Sequence, residues 1–324
     1  MPRLLVCGAI NWDTTLFVDR LPTPGEEVKV NSVLSVPGGK GANTAVAAAR
    51  ILGKNQVGII GMIGSDEIAE KQIAILSKEG VDVSCCGRHK DMHSGQAYVA
   101  VDREGENMVM THRSANMAIT LDQVGAENVS VAIENSSMMI IIDPPLDVAT
   151  ELAAKARDCG KLLILSPATL VNQGFSMLEG FLSKADYLIL NEHETSALAG
   201  LENGRAACEK LSKILGGRPV VTTLGSKGCI VCHDGKNMTI PAIDPSLFDL
   251  KVASTVGAGD TFEGAFSSFK LMGLADLEAI FLSNLAAALK ITQEQTRGSP
   301  TVEEIRNYAN SAILQPVYEK YKIT

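Results

Sequence analysis

Met138-Met139-Ile140-Ile141-Ile142 is an unbroken apolar run between Ser136-Ser137 and Asp143-Pro144-Pro145. A strand with one wet face alternates polar and apolar residues. A run with no polar position fits a strand of a sheet covered on both faces. Working outward, residues 4–9, 56–63, 162–165, 187–190 and 220–224 are similar short β-rich runs. Between them residues 42–52, 68–79, 148–159, 195–199 and 206–215 carry apolar positions at helical spacing. Strands alternating with helices predict an α/β fold of βαβ units, with a mainly parallel sheet inside helical layers. After Asp260 the pattern is helical, over 261–272, 277–292 and from Val302 onward.

Two regions break the alternation. Residues 14–36 run around Pro22-Thr23-Pro24-Gly25, and residues 94–112 around Arg103-Glu104-Gly105. Both read as hairpins outside the main sheet. Paired together they would form a small sheet covering a cleft as a lid, spanning about 12–36 and 94–113 of one domain running 1–324.

The composition narrows the function. The net charge of −8 argues against nucleic acid as a partner, since phosphate backbones call for clustered Lys and Arg. No apolar run approaches the ~20 residues of a membrane span. Residues 4–10 are followed at once by Asn11 and Asp13, so they read as a first strand and not as a signal peptide. A cytoplasmic protein without a membrane partner is expected. Seven cysteines in such a chain are read as free thiols. Cys229-Ile230-Val231-Cys232-His233 has the spacing of a haem attachment site. It lies in a strand–turn–strand pattern, however, where residues three apart point to opposite faces. His89 and His93 are four apart in a polar stretch that reads as a surface loop, so no metal site is expected there.

Two glycine-rich turns open helices. Ser254-Thr255-Val256-Gly257-Ala258-Gly259-Asp260-Thr261-Phe262 precedes an apolar helical stripe. Bare amides at a helix start attract an anion. A carboxylate beside a bound phosphate is costly unless it serves as a base for the attacking hydroxyl. Alone, the same turn also reads as a loop entering a helix that Asp260 caps. Pro37-Gly38-Gly39-Lys40-Gly41-Ala42-Asn43 is the second turn, and it lacks the spacing of a P-loop. Its glycines allow a ligand close, and Lys40 and Asn43 can donate to hydroxyls or phosphate. Asn11 and Asp13, Asp143, Asn191-Glu192-His193-Glu194 and Thr223–Gly228 each follow a predicted strand, at the end of an open sheet where ligands bind. Asn191-Glu192-His193-Glu194 reads equally as a helix N-cap with an acidic first turn.

These residues resemble the ribokinase family of carbohydrate kinases, the PfkB family. The resemblance runs from Ala9-Ile10-Asn11 through Gly38–Asn43, Gly105-Glu106-Asn107, Ala115-Asn116, Asn191–Glu194 and Thr223–Gly228 to Gly257–Phe262 and Asn284. It implies a doubly wound α/β fold with a β-sheet lid, often paired into a homodimer through the lids. It implies ATP-dependent phosphorylation of a sugar hydroxyl, ribose to ribose 5-phosphate first. Another sugar, a nucleoside or a sugar phosphate is the alternative acceptor, and a non-catalytic sugar-binding protein is a further one. An NAD-dependent dehydrogenase is disfavoured, because no GxGxxG follows the first strand. By resemblance Asp260 is the base, and Gly257, Ala258 and Gly259 form the anion hole. Asn11, Asp13, Gly38, Gly39, Lys40 and Asn43 hold the sugar, with Asp143 and Arg113 beside it. Asn191, Thr223, Gly225, Ser226, Gly228, Gly259 and Asn284 line the nucleotide site, and Asn191 and Glu194 organise Mg²⁺. Ser254 and Gln295 stand where the family carries Asp and Gly near a monovalent cation, which implies weak or absent activation by potassium. Asp143 replaces a Glu, and Arg113 a small residue.

Overall fold

Met138–Ile142 is a strand with all its residues buried, in the interior of a ten-stranded sheet. The computed structural model describes residues 2–104 and 106–322. Its first elements are β1 (Leu4–Gly8), β2 (Asn11–Val18), β3 (Val30–Gly38), α1 (Lys40–Leu52), β4 (Val57–Ile63) and α2 (Glu67–Lys78). The short β5 (Val81–Asp82) and β6 (Cys86–Arg88) come next, then β7 (Gly95–Val101) and β8 (Asn107–His112). The middle of the chain forms α3 (Leu121–Gly125), α4 (Glu127–Asn135), β9 (Met138–Ile142), α5 (Leu146–Asp158), β10 (Leu162–Ser166) and α6 (Phe175–Leu182). It continues with β11 (Tyr187–Asn191), α7 (Glu192–Ala199), α8 (Gly204–Ile214), β12 (Val220–Thr223), β13 (Cys229–His233) and β14 (Lys236–Ile240). The last helices are α9 (Ala258–Leu271), α10 (Asp276–Lys290), α11 (Val302–Ala309) and α12 (Gln315–Tyr318).

The main sheet runs β14-β13-β12-β11-β10-β9-β1-β4-β5, with β6 also on β4. From β1 the chain winds one way through β4 and β5, and the other way through β9 to β12, all in parallel. This is the doubly wound arrangement. The pleat sends Met138, Ile140 and Ile142 into one core with α1, α9 and α10, and Met139 and Ile141 into another with α4, α5, α6 and α8. An apolar run without alternation is what two cores require of one strand. Antiparallel β13 and β14 close one edge, joined by Asp234 and Gly235, both at positive φ. Cys229 lies in the first core and Cys232 in the second, so the two thiols diverge.

The second sheet has four strands in the order β3-β2-β7-β8. β2–β3 and β7–β8 are antiparallel hairpins, joined by a parallel β2–β7 pairing. Gly105, the tip of the second predicted hairpin, lies outside the described residues. The helices α3, α4 and α6 and the strands β5 and β6 add to the elements read from sequence. Among the described residues no helix is long and apolar enough to cross a membrane.

Candidate active site

Parallel strands end on one side of a sheet, so the polar residues that follow them gather there. Asn11 and Asp13 open β2 just after β1 ends. Asp143 follows β9, Asn191 closes β11 and Thr223 closes β12. The helix α9 starts beside them. Its N-cap is Gly257 at φ 83°, where a Cβ would lie 2.5 Å from the Thr296 carbonyl oxygen. Only glycine holds that turn without strain. Ala258 and Gly259 are the first helical residues, and no side chain caps the helix. Their orphan amides and the helix dipole make an anion site.

Asp260 sits inside the first turn of α9, so it is not the cap. Its carboxylate instead accepts from Asn43 Nδ2 at 2.7 Å. Burial pushes its carboxyl above the usual range, against that hydrogen bond and the charges of Lys40, Lys290 and Arg297. Asp13 is pushed to about 6 by burial, with Arg297 opposing and Asp260 adding to the rise. Burial also works to lower Lys40, but Glu194, Asp260, Glu263 and Asp143 outweigh it and hold the ammonium above its ordinary value. A cation set among the Glu194, Asp260 and Asp143 carboxylates stays charged and remains available to an anionic ligand.

The turn before α1 is packed against the chain itself. A Cβ on Gly38 would collide with the Asp13 carboxylate, and one on Gly39, at φ 92°, would lie 2.5 Å from Asn11 N. These two glycines make room for the site's own residues, where the sequence reading gave the space to a ligand. Gly264 performs the matching service on α9, where a Cβ would come 2.6 Å from the Thr44 carbonyl oxygen of α1. That close approach brings Asn43 and Asp260 together.

Asp143 stands at φ 55° with Thr169 Oγ1 at 2.7 and 2.8 Å from its two carboxylate oxygens. Arg113 Nη2 donates to the Asp143 carbonyl at 2.6 Å and lies 3.2 Å from Oδ2. Arg113 Nη1 donates to Thr169 Oγ1 at 3.1 Å. The guanidinium is thus spent on a carboxylate of its own chain.

On the other side of Asp260 lies a cleft of about 540 Å³, lined among others by Thr223, Gly225, Ser226, Gly228, Gly259 and Asn284. A Cβ on Gly259 would meet nothing within 4 Å, so the turn is open on this side. Asn284 is buried and donates to the Pro241 carbonyl at 3.3 Å. Asn191 and Glu194 form a reciprocal cap on α7, with Glu194 N to Asn191 Oδ1 at 2.8 Å and Asn191 N to Glu194 Oε2 at 3.1 Å. The cap reading of this motif therefore holds as local structure. Glu194 keeps a second oxygen 3.7 Å from Lys40.

The model of the pfkB family carbohydrate kinases matches residues 1–303. The ribokinase of Haemophilus influenzae is 30% identical over 315 residues, covering 95% of this chain and 99% of that protein. The chain belongs to the pfkB family of carbohydrate kinases. A bifunctional ribokinase/ribose-5-phosphate isomerase A of Fructilactobacillus sanfranciscensis is also 30% identical, over 96% of this chain, which spans 56% of that longer protein. Among solved structures, Arabidopsis thaliana ribokinase complexed with ribose and ATP superposes with a TM-score of 0.84 at 25% identity, covering 96% of this chain and 99% of that one.

Four polar side chains of this carbohydrate kinase escaped the sequence reading. Arg297 is buried and donates to Asn43 Oδ1 at 3.1 Å, the Gly38 carbonyl at 2.7 Å and Gln72 Oε1 at 3.0 Å. Gln72 in turn donates to the Asn11 carbonyl. Glu263, in the second turn of α9, accepts from Ser166 Oγ at 2.6 Å. Lys290 ends α10 with its side chain fully buried. Gln72 and Lys290 fall on helix faces whose neighbours are apolar, which is the one signal the sequence offered. Arg297 lies in a loop, where pattern carries no information.

Proposed function

We propose that the protein transfers the γ-phosphoryl group of ATP to a sugar hydroxyl, with ribose as acceptor and ribose 5-phosphate as product. The observation that carries this reading is Asp260, a carboxylate unused as a cap, set at a bare helix N-terminus between a polar cradle and an open cleft. In this reading the acceptor sugar lies among Asn11, Asp13, Lys40, Asn43 and Asp143, under the four-stranded sheet as a lid. The nucleotide lies in the cleft, its base against Ile243, Val252 and Ile291 and its phosphates along Gly225 to Gly228. Asp260 takes the proton of the attacking hydroxyl, and the Gly257–Gly259 amides receive charge on the transferring group. Lys40 neutralises the phosphate side. The chemistry is positioning and charge stabilisation, which fixed donors in a closed cleft supply.

In this reading a magnesium ion would be held at the Asn191–Glu194 corner, where Glu194 keeps one carboxylate oxygen free of the cap. Among the described residues no group of three or more His, Cys, Asp or Glu could hold a metal ion. An ion there would take Glu194 and Asn191, largely through water, and complete its shell with phosphate oxygens, drawing negative charge off them. The reading also places the enzyme in the cytoplasm, beside its nucleotide.

A coupled assay over pentoses, hexoses, nucleosides and sugar phosphates with ATP and Mg²⁺ tests the proposal. Ribose is expected to give the highest kcat/KM. A clear preference for a nucleoside or sugar phosphate would move the acceptor, and no turnover of any of them would overturn the kinase reading.

A further inference from the structure

Lys290 is 0% exposed, yet it carries an ammonium. Its Nζ donates to the Ser254 carbonyl at 3.1 Å, and among the described residues no carboxylate lies within ion-pair distance of it. An unpaired buried charge is costly in an apolar interior and persists only where the surroundings favour it. Two features favour this one. The ammonium lies at the C-terminal end of α10, where carbonyls and the helix dipole attract a cation. Burial lowers the ammonium to about 8, and the Asp260 carboxylate opposes that fall, so the group still carries its charge at neutral pH.

The contact is placed where it controls the anion turn. Ala253 N and Ser254 N both donate to the Ile291 carbonyl, at 2.8 and 3.1 Å. The Ser254 carbonyl points the other way, onto Lys290. Thr255 and Val256 connect it to Gly257, whose φ of 83° sets the Ala258 and Gly259 amides. Fixing the plane of the Ser254 peptide therefore fixes the start of the turn. Ser254 also supplies no negative charge, so the turn has no carboxylate of its own to hold a free cation.

We propose that Lys290 is a positioning residue for phosphoryl transfer: a tethered ammonium that fixes the 254–259 turn and gives it a covalently held positive charge, in place of an exchangeable monovalent cation. This rests on the kinase reading of the same turn. The positive charge sits behind the amides that would face the transferring group, where it adds to their field without being consumed or released. Because it is covalently held, no ordering entropy is lost on each binding cycle.

The test uses the full-length protein and the Lys290→Met and Lys290→Ala variants. The wild-type initial rate is expected to be equal in potassium, sodium and tetramethylammonium salts at fixed ionic strength. Lys290→Met, of similar length without charge, is expected to lose about 10–100-fold in kcat with little change in sugar KM, the scale of a residue acting through another. Lys290→Ala leaves a void and is expected to be partly rescued by ammonium, methylammonium or potassium, and not by tetramethylammonium. Amide hydrogen exchange without substrates is expected to speed up over 254–259 in both variants and to stay unchanged in β9 and β10. Strong potassium stimulation of the wild type, or full kcat in Lys290→Met, would overturn the proposal. So would unchanged exchange over 254–259. If the wild type phosphorylates nothing, the kinase reading fails, while the exchange measurement still decides whether Lys290 holds the turn.

Discussion

Replacing Asp260 by Asn keeps the volume and the contact with Asn43 but removes the carboxylate. If that carboxylate accepts the acceptor's proton, Asp260→Asn loses about 10²–10⁴ in kcat, with sugar affinity nearly intact. Isothermal titration of the sugar beside steady-state kinetics separates the two quantities, and full activity would sink the mechanism. The base must be ionised to work. Because burial raises the Asp260 carboxyl, kcat should fall on acidification at a pH above the ordinary aspartate value. Arg113 invites a second substitution. Its guanidinium is bonded to the Asp143 carbonyl, the Asp143 carboxylate and Thr169, so it steadies Asp143 for whatever acceptor is present. Arg113→Ala is expected to lower kcat/KM about fivefold for neutral and anionic acceptors alike, the scale of one net hydrogen bond. A loss confined to sugar phosphates or sugar acids would show instead that the arginine reaches the substrate.

Helix α9 joins the site to the sheet, and Glu263 is its buried joint. Burial, the neighbouring Asp260 and little compensation lift the Glu263 carboxyl from 4.5 to about 8. The folded state thus holds a proton there that the unfolded chain releases at neutral pH. The stabilisation is complete below 4.5 and is lost as pH rises through about 8. Melting temperature should therefore fall between pH 5 and 9, and fall less in Glu263→Gln. Parallel curves for the two proteins would show that Glu263 ionises normally. Elements of this kind mark how far the sequence was legible. The strand 138–142 could be read because two cores demand apolar residues at every position. The start of α9 could be read because apolar residues at helical spacing follow its glycines, although the turn alone read equally as a capped loop. Glu263, Gln72, Arg297 and Lys290 could not, since a polar residue on a helix or loop looks solvated until tertiary packing buries it. Short α3, α4 and α6 went unread for a related reason: a helix of one to three turns shows too few periods to separate from a loop.

At the scale of the whole molecule, the four-stranded sheet is the feature a monomer does not explain. Its register places Asn11 and Asp13 on one face with Leu34, Val99 and Val109. The other face carries Val33, Tyr98, Met108 and Met110. Val33 is 59% exposed and Val109 58%, and every residue of β8 is exposed. Exposed edge strands with apolar faces invite pairing or aggregation unless something covers them. A second copy related by a two-fold axis would cover one such face on each sheet, each presenting its apolar residues to the other's. The face that continues to Asp13 would then be closed over the acceptor by its partner's sheet. The protein is expected to have twice the chain mass by light scattering at micromolar concentration. Val33→Glu combined with Val109→Glu puts an unpaired charge on each face and should give a folded monomer with a raised KM for the sugar and an unchanged KM for ATP. A wild-type monomer, or a dimer that survives both charges, would place the contact elsewhere and leave the lid closing over the sugar alone.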